Sequence, residues 1–146
     1  MCDPHRLSDD QFLADFLACC LPAAGFDHRG HLRAAWLLLQ RHPLAEAVDQ
    51  TCDGIARLAA HLGVPGKYHR TLSEALVRLM AAAGAVGQSW PEFLAGNPRL
   101  VADARGLLGE YYSAARLADP LARTAFLPPD LAPLPPCATP STVTPA

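Results

Sequence analysis

Apolar residues recur along this chain at intervals of three and four, with no run in which polar and apolar positions alternate. That spacing is the signature of helix faces rather than strands. The first stripe is Phe12, Leu13, Phe16, Leu17 and Cys20, opened by Ser8-Asp9-Asp10-Gln11, which has the form of a capping box. Residues 22–26 break it. Asp27 then caps a second helix that runs to about Arg41 and stops ahead of Pro43. Pro43 suits the first turn of a third helix with the stripe Leu44, Val48, Cys52, Ile55, Ala59 and Leu62, ended by Gly63 and Pro65. A fourth helix begins around Tyr68 to Thr71, where Thr71-Leu72-Ser73-Glu74 again reads as a capping box. It carries Leu72, Leu76, Leu79, Met80 and Ala83 to near Gly84. Ser89-Trp90-Pro91-Glu92 opens a short helix. Asn97-Pro98 opens another, running past Leu100, Ala104, Leu107 and Leu108 toward Tyr111 and Tyr112, and Asp119-Pro120 caps a last turn.

The expected fold is therefore all-α: a compact single-domain bundle of about five to seven helices. Its length of 146 residues and 51% hydrophobic content support one real core, and an apolar share dominated by Ala and Leu suits packed helices. Pro128, Pro129, Pro133, Pro135, Pro136, Pro140 and Pro145 mark a change of composition, so the domain is expected over residues 1–127, with 128–146 a Pro-rich disordered tail.

A formal charge of −2 gives no bulk electrostatic reason to bind nucleic acid or an anionic membrane. The polar start shows no secretory signal, and no apolar run approaches the roughly 20 residues of a spanning helix. A cytoplasmic location is expected. Five cysteines, odd in number and with no C-x-x-C pair, read as free and mostly buried thiols rather than a zinc or redox motif.

The candidate chemistry is concentrated in two short stretches, Phe26-Asp27-His28-Arg29-Gly30-His31-Leu32-Arg33-Ala34-Ala35-Trp36 and Lys67-Tyr68-His69-Arg70-Thr71. His28 and His31 are three residues apart and share a helix face with Leu32, Ala35, Trp36 and Leu39. Tight connections at His42-Pro43 and from Gly63 to Lys67 imply an up-down-up arrangement of the second, third and fourth helices. The N-termini of the second and fourth helices then share one end of the bundle, bringing His28, His31, Tyr68 and His69 together. Two helix N-termini offer unsatisfied backbone N–H groups and a positive field, to which Arg29, Arg33, Lys67 and Arg70 add charge. A carboxylate, phosphate or enolate is favoured in such a place.

Three readings of this end follow. In the first, His28, His31, His69 and Tyr68 supply acid/base or orienting groups to a small anionic metabolite held by Arg29, Arg33 or Arg70 and walled by Trp36. A lyase, isomerase or cyclase in bacterial small-molecule biosynthesis is the expected type, needing no cofactor. In the second, His28, His31 and His69 hold a divalent transition metal, although no Glu-x-x-His motif accompanies them. In the third, the histidines are structural and the chain is a noncatalytic helical interaction module. His5, His42 and His61 look exposed or terminal. Cys19, Cys20 and Cys52 have no base beside them in sequence, so none is expected to act as a nucleophile.

The two histidine stretches, with Trp90-Pro91-Glu92-Phe93, Asn97-Pro98, Tyr111-Tyr112 and Phe126-Leu127-Pro128, resemble a widespread group of small, largely uncharacterised, all-helical bacterial proteins. The resemblance spans most of residues 8–130. It implies the helical fold and a shared site but attaches no activity. Where that group leads one to expect an acid after the histidine of the second stretch, this chain has Arg70. The departure weighs against a metal and toward an anion.

Overall fold

The computed structural model describes residues 7–25 and 27–136, and among these it is all-helical, with no strand. Four helices make the bundle: α1 (Asp9–Leu17), α2 (His28–Arg41), α3 (Leu44–His61) and α4 (Arg70–Ala82). α3 packs along both α2 and α4, α2 also touches α4, and α1 lies against α2 and α3. Five shorter helices follow, α5 (Trp90–Gly96), α6 (Pro98–Ala102), α7 (Ala104–Leu108), α8 (Ala114–Ala118) and α9 (Pro120–Thr124). α6 packs on α2, and α7 and α9 pack on α4. No helix among the described residues is long and apolar enough to cross a membrane.

Local signals place most of these elements. Ser8 Oγ accepts from the Gln11 amide and Asp27 Oδ1 from the Gly30 amide, while Ser89 and Glu92 complete a reciprocal capping box. Gly63 ends α3 at φ +78°, a left-handed conformation that a side chain resists. The predicted stripes supply much of the core: Phe12, Phe16, Leu32, Val48, Cys52 and Met80 are enclosed, joined by Leu38 and Leu58, which the stripes did not include. Each large apolar side chain so buried contributes about 1.5–3 kcal/mol. α1 comes close to α3 because residue 54 is glycine. A Cβ there would meet the Phe16 ring at 2.4 Å.

The structure also departs from the sequence reading. The helix expected from Asn97-Pro98 to Tyr112 is two, because Asp103 leaves the helical conformation and its carboxylate accepts from the Gly106 amide. Ser113 opens α8, an element not expected, by accepting from the Arg116 amide. Nine helices among the described residues thus replace the five to seven expected. Cys20, assigned to the first apolar stripe, is exposed because α1 ends at Leu17 and Cys19 turns into the left-handed region at φ 59°.

The boundary expected after residue 127 is not a boundary of packing. Pro128 O accepts from Arg116 Nε at 2.9 Å, and the Asp130 carboxylate accepts from the Ser113 amide and hydroxyl at 2.8 and 2.6 Å. The Leu131 amide donates to Tyr111 O at 2.9 Å, and Leu134 rests against the core. Residues 128–136 form neither helix nor strand and bend at 130–132, but they are held on the bundle. Residues 137–146 of the expected tail lie outside the described residues, as do His5 and Phe26. Truncation after Leu127 is expected to remove about 1–2 kcal/mol and lower the thermal midpoint by roughly 3–8 °C. A midpoint unchanged by truncation would show that these bonds add nothing to the fold.

Candidate functional site

The first turns of α2 and α4 meet across a cavity of about 170 Å³. Asp27 sets the start of α2 and so carries His28 and His31 to its wall. A 3₁₀ turn, Pro65–Lys67, delivers Lys67 and leads into His69. α7 closes one side with Arg105 and Leu108, while Thr51 and Ile55 enter from the middle of α3. Ala35, Leu72, Leu76 and Val77 complete an apolar lining. This explains why Leu72 and Leu76, on the α4 stripe, are only partly covered.

The three histidines lie around one cavity, but they are not equivalent. His69 Nδ1 accepts from the Leu72 amide at 3.1 Å, capping α4, and its Nε2 pairs with Leu117 O at 2.9 Å. Since Nδ1 accepts, Nε2 carries the proton and donates it. Both nitrogens are committed to the backbone, so His69 is a structural hinge pin between α4 and α8. His28 Nε2 lies 2.7 Å from Leu100 O, which accepts only from the Nε2–H tautomer and leaves the lone pair on Nδ1. His31 is the enclosed member. Burial pushes its pKa down to about 4, with the neighbouring His28 and Lys67 adding to the shift and Asp27 opposing it. At neutral pH His31 is an uncharged imidazole.

The His69 cap overturns a local expectation. Thr71 and Glu74 do not form a capping box: Thr71 is already helical, and its hydroxyl donates to Ala125 O and accepts from the Leu127 amide. Glu74 is buried and bridges Arg70 and Arg78 at 2.9 Å each. Nor are the helix N-termini open to an anion through the amides of Gly30 and Leu72, which the Asp27 and His69 side chains already occupy.

The arginines and aromatics expected at the site turn elsewhere. Arg33 is two residues beyond His31, about 200° around the helix, and so faces α1. There it lies over the Phe12 ring at 4.5 Å and donates to Leu7 O and Asp9. Arg70 is taken by Glu74 and by Asp49 at 3.1 Å, and Arg29 is exposed and does not line the cavity. Trp36 packs toward α5, donating to Gln88 O at 3.0 Å with its ring 5.5 Å from Trp90. Tyr68 is half-buried beside Cys52 and Arg70, outside the cavity wall; burial raises its phenol. Burial also pushes the Cys52 thiol up to about 12, so it is no nucleophile.

Lys67 keeps its expected place at the cavity, and Arg105 takes the position that the α2 and α4 arginines vacate. Among the described residues neither is within ion-pair distance of a carboxylate. Sequence offered no sign of Arg105, which the break at Asp103 aims at α4. Thr51 was equally silent: it lies on α3 among core residues, is 1% exposed, and its Oγ1 has no hydrogen-bond partner among the described residues. An unsatisfied buried hydroxyl costs about 1–3 kcal/mol.

The alternative metal site of His28, His31 and His69 does not fit this arrangement, since His69 has no lone pair to offer a metal. Among the described residues no group of three or more His, Cys, Asp and Glu side chains is placed to hold a metal ion. No protein-family model, no curated protein and no solved structure matches the chain.

Proposed function

We propose that the cavity binds a small metabolite with a carboxylate or phosphate group, and that His28 and His31 act on it by hydrogen bonding and proton transfer. One observation carries this reading: the polar lining contains two cations without carboxylate partners among the described residues, and no Asp or Glu at all. Lys67 and Arg105 hold the anionic group at the rim. The apolar walls take the body of the molecule. A cavity of about 170 Å³ is close to the ~150 Å³ that accommodates benzene, so the body is a single ring or a short branched chain.

The histidines divide the remaining work. His31, neutral and enclosed, donates or accepts a hydrogen bond without bringing a charge that would have to be desolvated. His28, whose tautomer is set by Leu100 O, presents Nδ1 as the atom that can take a proton. His69 keeps the α4 turn in place, with both ring nitrogens bonded to backbone. This is acid/base chemistry on a bound anion, and it asks nothing of a metal or cofactor.

Titration calorimetry with benzoate and with inorganic phosphate tests the binding step. Lys67→Ala and Arg105→Ala are each expected to weaken binding by about three- to tenfold, as charge-assisted hydrogen bonds at a partly exposed rim should. Arg33→Ala and Arg70→Ala should leave affinity unchanged in whatever fraction folds. Equal effects at all four arginine and lysine positions would mean general charge attraction and not this site.

A further inference from the structure

We infer that the ligand of this site carries two anionic groups, and that Arg123 receives the second one in a groove beside the cavity. The inference rests on the binding role proposed above. The groove, of about 450 Å³, is lined by His69, Leu72 and Arg105, the same three residues that line the cavity. They form a partition between two compartments and do not close the site. Leu117 and Ala118 of α8 and Arg123 of α9 add to the groove wall, and no Asp or Glu lines it.

Arg123 is held in place without being neutralised. Its Nη1 donates to Gly66 O and to Tyr68 O, at 2.9 Å each, which fixes the guanidinium against the backbone on both sides of Lys67. Those two bonds use the hydrogens of Nη1, and the N–H groups of Nη2 and Nε have no protein acceptor among the described residues. Nor is any carboxylate among the described residues within ion-pair distance of Arg123. An arginine anchored by neutral carbonyls keeps its full charge, and it has already given up part of its rotamer freedom. Both conditions favour capture of a carboxylate or phosphate. The side chain is exposed, so a ligand reaches it directly. The same anchor ties Arg123 to the turn that delivers Lys67, so a short linker joins the two anionic groups. One lies at Lys67 and Arg105 on the cavity rim, the other on Arg123, and the apolar body stays in the cavity. The ligand class is a small dianion, a dicarboxylate or a phosphorylated acid, with one apolar substituent.

The test compares phenylsuccinate with 2-phenylbutanoate, which has a methyl group in place of the distal carboxylate, by titration calorimetry on the full chain. The parent is expected to bind the dianion at least about fivefold more tightly. In Arg123→Gln that preference should fall to about twofold or less, and Arg123→Lys, which keeps the charge, should retain part of it. The preference is a ratio measured on one variant, so a general loosening of the Lys67 turn weakens both probes and leaves it unchanged. Arg29 is exposed and lines neither compartment, and Arg29→Gln should keep the parent's preference. Circular dichroism confirms that each variant is folded. If 2-phenylbutanoate binds and weakens with Lys67→Ala, but the parent does not distinguish the two probes, the anion site stands and the dianion class is overturned. A preference that survives Arg123→Gln, or falls as far in Arg29→Gln, overturns the role of Arg123. If neither probe binds at millimolar concentration, both readings fall together.

Discussion

Gly30→Ala is expected to destabilise the protein by about 2–3 kcal/mol, although alanine is the better helix former by roughly 1 kcal/mol. The residue sits in the first turn of α2, between His28 and His31, and a Cβ there would meet the Gly25 carbonyl oxygen at 2.1 Å. That atom is backbone and cannot swing aside, so the turn before α2 or the helix itself must shift. The same Cβ would press on Asp27 Oδ1 at 3.2 Å, the atom that caps the helix. Steric conflict therefore outweighs propensity. The thermal midpoint should fall by roughly 5–10 °C, and the His28 and His31 resonances should move with it. Gly66→Ala is the control, because nothing lies within 4 Å of its added Cβ. Equal behaviour of the two variants would show that the close approach at Gly30 is not what sets the start of α2.

The second large effect is a loss of stability in acid. The His31 pKa falls from 6.5 to about 4 on folding, first because burial penalises the charged ring. Between those values the unfolded chain binds a proton on this imidazole and the folded chain does not. Stability therefore decreases as pH falls through this window and is fully present above it. The shift corresponds to roughly 3 kcal/mol, trimmed to about 2–3 kcal/mol by the partial exposure of the side chain at the cavity. Denaturant titrations at intervals across the window should show this slope, and His31→Gln should flatten it. A parent protein as stable near pH 4 as near pH 7 would mean that His31 is charged in the fold.

Elements whose signals lie within one turn of sequence were legible. Ser8, Asp27, Ser89 and Gly63 work through amides three or four residues away, and the α2, α3 and α4 stripes follow from spacing alone. Meeting of the histidines around one cavity followed from two short connections, which leave a helix little choice but to turn back. What could not be read depends on partners distant in sequence. Thr71 has the form of a cap, but Ala125 and Leu127 claim its hydroxyl, and the cap passes to His69. Arg33 and Arg70 are basic residues near the site, yet Asp9, Asp49 and Glu74 draw them off. Pro128 to Pro136 have the composition of a loose tail, but Asp130 finds Ser113. Thr51 gave no signal because a threonine on a core stripe looks the same whether or not its hydroxyl is satisfied.

The charge of His31 is where fold and proposed function meet. An anion bound in the cavity stabilises the protonated ring and must raise its pKa, by the same linkage that burial uses to lower it. Nitrogen-15 chemical shifts of the histidine side chains, followed across pH with and without saturating benzoate, measure this directly. The account predicts a His31 midpoint near 4 in the unliganded protein that rises by about one unit or more with benzoate, an increase lost in Lys67→Ala. A His31 midpoint that is the same with and without benzoate, at concentrations where calorimetry shows binding, would contradict it and place the anion elsewhere on the protein.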